Sequence, residues 1–167
     1  MLALPQDLTV APHGLPAIIR TYGNPLDYVE SKPAWEHLVL EVRPLPFLLP
    51  YAYGPALISR VRAHRLIVDR LRDLLVTCAD RGVRLDRMVY GGCYMYRAQR
   101  GAAKLSTHAW GIALDLDPAK NALGVPWDGG EIMLHPIIVG AFEEAGWTWG
   151  GRWEQPDCMH VQFCGGY

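Results

Sequence analysis

The stretch LSTHAWGIALDLDP, residues 105–118, decides how the chain folds, because its character changes at its one glycine. Beyond Gly111, Ile112, Leu114 and Leu116 alternate with Ala113, Asp115 and Asp117, the period of a half-buried strand. Aspartates are uncommon inside strands, so two on one face need a partner or water. His108 lies seven residues before Asp115, and in an unbroken strand the two would point to opposite faces. Gly111 offers a bend that lets them converge. Either the two hold a metal together, or they are polar residues on an ordinary buried strand.

Outward from this stretch, DRMVYGG (86–92) reads as a short strand, and WTWGG (147–151) and MHVQF (159–163) as two closing strands. A helix is expected from about Pro136 through IIVGAFEEA to Gly146, a natural stop. The clearest helical pattern is PALISRVRAHRLIVDRLRDLLVTCADRG (55–82). There Leu57, Val61, His64, Val68, Leu71, Leu75 and Cys78 fall on one stripe, with Pro55 at the start and Gly82 just past the end. Arg60, Arg62, Arg65, Arg70 and Arg72 lie largely off that stripe, as a solvated face would. HLVLEVR (37–43) is expected to be a strand stopped by the three prolines of PLPFLLP (44–50). Residues 1–30 read as an irregular lead-in. The order predicts one α+β domain over 1–167, a small, mainly antiparallel sheet with packed helices and no second domain.

Bulk properties exclude some function classes. Sixteen basic residues balance 17 acidic ones, so the basic footprint of a nucleic-acid binder is missing. No apolar run approaches the ~20 residues that span a bilayer, so membrane insertion is not expected. The opening MLALPQDLTVAPHGLP has no basic start, and Pro5, Gln6 and Asp7 interrupt it, which predicts cytoplasmic synthesis without a signal peptide. Cys78, Cys93, Cys158 and Cys164 form no C-x-x-C pair and are expected as thiols.

The second polar cluster is QPDCMHVQF (155–163), where Asp157 precedes His160 by three residues. A hydrolytic zinc site needs three protein ligands and an open position for water, plus a nearby carboxylate that is not a ligand. His108, Asp115 and His160 could supply the ligands and Asp157 the base. Six histidines offer several triples, and for each one alone a hydrogen-bonded structural imidazole is the simpler reading. His64, on the apolar stripe, is expected in the core, and His13, His37 and His135 have no neighbours that recommend them. Cys158 is an alternative ligand beside His160, and Glu154 a rival base at a less suitable spacing.

YRAQRGAAKLSTHAWGIALDLDP (96–118) followed by GWTWGGRWEQPDCMHVQF (146–163) resembles the zinc peptidases of the D-alanyl-D-alanine carboxypeptidase group. Their pattern is S-x-H, then G-x-A-x-D, then a carboxylate three residues before a second histidine. Ser106, His108, Gly111, Ala113 and Asp115 fill its first part, and Asp157 and His160 its second. GNPLDY, YGGCYMYR and GWTWGG resemble the branch typified by phage L-alanyl-D-glutamate endopeptidases. The likeness is dense from about Arg60 to Phe163 and thin before Gly23.

The resemblance implies a LAS/hedgehog-like zinc peptidase fold, with Zn2+ held by His108, Asp115 and His160 and Asp157 as general base. It further implies that Arg97 steadies the substrate carbonyl, with Arg100 as a second candidate for that role. Ser106 matches a serine that orients the site or contacts substrate, and a turn-stabilising role is its alternative. Trp149 or Trp153 is expected to line the cleft. Arg152 stands where relatives often carry an acidic residue.

The implied reaction is attack by zinc-bound water on a peptide bond of the peptidoglycan stem peptide, most simply L-Ala–D-Glu, by a monomer. The alternatives are a D-Ala–D-Ala carboxypeptidase with the same site and a non-catalytic zinc-binding module; the presence of Asp157 counts against the last. The expected setting is a phage or prophage lysin released at host lysis, or an enzyme carried on a virion.

Overall fold

The computed structural model describes residues 8–99 and 101–167. Among the described residues, four α-helices accompany two antiparallel sheets, the α+β arrangement expected. In chain order the elements are α1 (Leu15–Tyr22), α2 (Lys32–Val39), β1 (Leu40–Pro50), β2 (Leu57–His64), α3 (Val68–Asp80) and β3 (Tyr90–Gly92). They continue with β4 (Ala113–Leu116), α4 (Pro136–Glu144), β5 (Thr148–Trp149) and β6 (His160–Gln162). β1 and β2 form a two-stranded ribbon, and the other four strands make one sheet in the order β3-β4-β6-β5.

The alternation after Gly111 does what it predicts. Ile112, Leu114 and Leu116 are fully buried, and Leu114 sits opposite Val161 of β6. Removing four such aliphatic side chains from water stabilises the fold by roughly 1.5–3 kcal/mol each. On α3, Val68, Leu71, Leu75 and Cys78 form the buried stripe, and Gly82 follows the helix with φ of 92°.

Three expectations need correction. Residues 57–64 are strand, not the first turns of a long helix. In β2 Val61 and Ala63 point inward while Arg60 and Arg62 point out, and Leu57 is 59% exposed. The helical stripe coincided with a period-two pattern, and backbone pairing with β1, from Leu40↔His64 to Pro50↔Leu57, decided the outcome. The prolines of 44–50 do not end β1 either. A two-stranded ribbon has only edge strands, and its register shifts between Pro44 and Leu49, where missing N–H donors cost nothing.

Third, the described part of the lead-in carries α1 and a 3₁₀ turn at Pro25–Tyr28, and with α2 just beyond it braces the rest of the fold. The Trp35 indole donates to the Ala109 carbonyl at 3.0 Å, Trp110 donates to the Gly23 carbonyl at 2.8 Å, and the Tyr22 hydroxyl to the Phe163 carbonyl at 2.9 Å. Helices this short have little intrinsic stability and persist through such docking, which is why local pattern did not reveal them. Pro5, Gln6 and Asp7 lie outside the described residues. Among the described residues, no helix is long and apolar enough to cross a membrane.

His64 is the core histidine expected. It is 1% exposed, its Nδ1 accepts from the Leu66 N–H at 3.2 Å, and its Nε2 donates to the Tyr22 carbonyl at the same distance. Burial pulls its pKa down to about 4, against a smaller upward pull from the Tyr22 carbonyl. All four cysteines are free thiols.

Candidate metal centre

Cross-strand register assembles the site. Asp115 of β4 lies directly opposite His160 of β6, and side chains so paired start only about 5 Å apart. The His160 Nδ1 comes within 2.9 Å of Asp115 Oδ1. His108 arrives from a 3₁₀ turn, Thr107–Trp110, which Gly111 ends in the left-handed region with φ of 69°. A β-carbon at Gly111 would lie 2.7 Å from the Leu40 side chain and 3.0 Å from the His64 nitrogen. Glycine is therefore required there twice over, for its φ and for the close approach of β2. The bend brings the His108 Nε2 within 3.2 Å of Asp115 Oδ1. One ligand atom from each of His108, Asp115 and His160 lies within 4.8 Å of the others.

The hydrogen bonds around the imidazoles aim their lone pairs at this point. His108 Nδ1 lies 2.8 Å from the Cys93 carbonyl oxygen, which only accepts, so Nδ1 carries the proton and Nε2 the lone pair. That Nε2 is buried and makes no hydrogen bond. The Gln162 amide donates its Nε2 hydrogen to the Cys164 carbonyl, which turns Oε1 toward His160 Nε2 at 2.9 Å. The Thr107 hydroxyl also donates to that oxygen, at 3.0 Å. His160 Nε2 is thereby the donor, and its Nδ1 faces Asp115. Two imidazole lone pairs and a carboxylate meeting in a buried site suit a divalent cation, with both rings oriented by outer partners as metal-binding histidines usually are.

Burial raises the Asp115 carboxyl, but the two imidazoles that face it, His108 and His160, outweigh burial and hold the group well below the usual carboxylate range. Burial likewise depresses the His160 imidazole. Asp115 outweighs that, with Gln162 and Asp157 adding to it, and the pKa rises above its ordinary value.

Asp157 stands beside this cluster. Its N–H donates to the Gly150 carbonyl at 2.9 Å, and its carbonyl accepts from the His160 N–H at 3.1 Å. A β-carbon on Gly150 would sit 2.6 Å from the Asp157 oxygen, so glycine lets the two segments touch. Asp157, Arg97, Ser106 and Trp153 line a cavity of about 360 Å³ together with Asp115 and His160. Arg97 is carried by a small hairpin in which its carbonyl accepts from Ser106 and Ala98 bridges Leu105. Arg100 lies outside the described residues.

The remaining candidates separate. Ser106 accepts from the His108 N–H and caps the 3₁₀ turn, while it also borders the cavity. Trp153 is 36% exposed, its ring centre 5.5 Å from that of His160. Trp149 is not a cleft residue: it is 3% exposed, with its indole spent on the Cys158 carbonyl at 2.9 Å and its ring edge-on to Trp127. Cys158 is turned away as well, its thiol 3.5 Å from the Val125 carbonyl, and burial raises its pKa. Arg152 is taken up by Glu143 at 2.7 Å. Glu154 lines the cavity but is exposed.

Sequence reasoning missed three orienting groups: Gln162, Thr107 and the Cys93 carbonyl. Gln162 had a signal, since it lies two residues after His160 and so shares its face of the strand.

Residues 100–163 match the family model described as D-alanyl-D-alanine carboxypeptidase. That segment contains His108, Asp115, Asp157 and His160. Over it the chain is similar to a family of zinc peptidases acting on peptidoglycan, and the match supports a metallopeptidase. No curated protein matches the chain.

Proposed function

We propose that the protein is a zinc-dependent peptidoglycan hydrolase that cuts the stem peptide at the L-Ala–D-Glu bond. The observation that carries this choice of bond is a cleft that continues on both sides of the ligand cluster. The cavity holding Asp157 and Trp153 meets a second one of about 680 Å³, and the two share Arg97, Asp115, Leu123 and Met159. A chain can lie across such a site, whereas trimming a terminal residue calls for a closed end.

His108, Asp115 and His160 would hold the zinc ion, which would supply Lewis acidity and lower the pKa of a bound water. Asp157, bordering the same cavity, accepts the proton of the attacking water and returns it to the leaving amine. Arg97, which borders both cavities, donates to the substrate carbonyl oxygen as negative charge develops on it. The Cys93 carbonyl and Gln162 hold the two imidazoles in the orientation this requires, and Ser106 caps the turn that carries His108.

The family description favours one second reading, removal of terminal D-Ala by the same residues. A non-catalytic zinc module is disfavoured by Asp157 in the cleft. Release at host lysis, or carriage on a virion, fits the likeness to the phage branch, and we expect a monomer. Digestion of purified peptidoglycan with and without chelator, followed by mass analysis, tests the proposal. New amino-terminal D-Glu that vanishes with chelator is the expected result. Released D-Ala would replace it with the carboxypeptidase, and intact peptidoglycan with zinc bound would leave the binding module.

A further inference from the structure

We infer that the larger lobe of the cleft is the acyl-side subsite and takes the uncharged N-acetylmuramyl-L-alanyl part of the substrate, with the Tyr53 ring as its platform. This rests on the endopeptidase reading above.

Charge distinguishes the two lobes. Apart from Arg97, His108 and Asp115, every residue lining the 680 Å³ lobe is uncharged, among them Tyr53, Tyr94, Met95, Gly91, Ala119 and Leu123. A carboxylate or ammonium drawn in there would lose water without gaining a partner. The 360 Å³ lobe is polar by contrast, with Gln99, Glu154, Gln155 and Asp157 on its walls. The two halves of the substrate differ in the same sense. On the acyl side of an L-Ala–D-Glu bond stands one alanine, amide-linked to the lactyl group of a muramyl sugar, with no charge. On the amine side stand the glutamyl carboxylate and a diamino acid.

The base distinguishes them as well. Asp157 lines the smaller lobe and not the larger. The group that returns a proton to the leaving amine must sit on the amine's side of the scissile bond. The D-Glu half therefore occupies the smaller lobe and the acyl half the larger, the same assignment that charge makes.

The ribbon tip gives this lobe its wall. The Ala52 N–H donates to the Tyr90 carbonyl at 3.0 Å, and Tyr51 bridges Tyr90, so the tip is tied to β3. The Tyr53 ring stands edge-on to Tyr51, centres 5.5 Å apart, and is 62% exposed. A held aromatic face with open access suits the C–H face of a pyranose, and the lobe's size is in the usual range for a small-ligand site.

The test uses two substrates carrying the same L-Ala–D-Glu bond, a muramyl-linked stem peptide and the free stem peptide. Wild type should prefer the muramyl-linked one, and Tyr53→Ala should lower kcat/KM for it roughly five- to tenfold through KM while leaving the free peptide unchanged. Tyr53→Phe should behave as wild type. Calorimetry on chelator-stripped protein should show N-acetylmuramyl-L-alanine binding weakened by the same factor in Tyr53→Ala. Equal effects on both substrates, no effect on either, or unaltered binding of the muramyl compound would overturn the assignment. New D-Glu termini without sugar preference would overturn the lobe assignment alone, whereas released D-Ala would overturn it together with the endopeptidase reading.

Discussion

The two histidines of the candidate metal centre are held by different means. His108 rides on a 3₁₀ turn whose ring is oriented by a backbone carbonyl, that of Cys93, and whose rear is pinned by the Trp35 indole on Ala109. His160 stands on a strand, and its ring is oriented by one side chain, Gln162, which Thr107 and the Cys164 carbonyl steady in turn. A carbonyl belongs to every residue type, so the first arrangement tolerates replacement of Cys93. The second depends on an amide that a single substitution removes. The site is robust on one side and exposed to mutation on the other.

The largest effects come from removing the groups themselves. His160→Ala should lose both zinc and hydrolysis, while Asp157→Ala should keep zinc and lose activity by about a hundredfold to ten-thousandfold. Metal analysis beside peptidoglycan digestion separates the two, and a fully active Asp157→Ala protein would sink the base assignment. The contrast between the histidines is probed next. Gln162→Leu should weaken zinc binding roughly ten- to a hundredfold, as loss of an outer partner typically does. Cys93→Ala should leave it unchanged, because the carbonyl stays. Chelator competition reads both, and equal losses in the two variants would erase the distinction.

A smaller effect concerns the packing behind His108. The His64 backbone N–H donates to the Gly111 carbonyl at 2.8 Å, so the residue that carries this buried ring backs the bend. Burial lowers its pKa from 6.5 to about 4. Below pH 6.5 the unfolded chain takes up a proton that the folded chain refuses until about pH 4, so stability falls as pH drops through that window. The contribution is on the order of 2 kcal/mol between pH 7 and pH 5. Urea titrations of metal-free wild type and His64→Leu should differ in pH slope by that amount, and parallel slopes would remove His64 as the cause.

The residues of the candidate metal centre were legible in local pattern, whereas choosing them as one set rested on the family resemblance, because cross-strand register brings Asp115 to His160. The alternation of 112–116, the glycine at 111 and the three-residue step from Asp157 to His160 each act within a few residues. The ribbon was not legible, because 57–64 satisfies helical and strand periods alike until β1 pairs with it. The braces from Trp35, Trp110 and Tyr22 span 74, 87 and 141 residues and leave no local trace. The Cys93 carbonyl is a backbone atom, and no residue type announces it.

The pairing of Asp115 with His160 also bears on the metal-free chain. These residues are 45 apart in sequence, and closing a loop of that length costs about 4 kcal/mol of chain entropy. Here β4 and β6 close it through Leu114 and Val161 in the core, so apolar packing rather than the ligands themselves offsets that cost. A zinc finger, by contrast, has too little core to fold without its metal. Chelation should therefore silence this protein and leave it folded, and returning zinc should restore it without refolding.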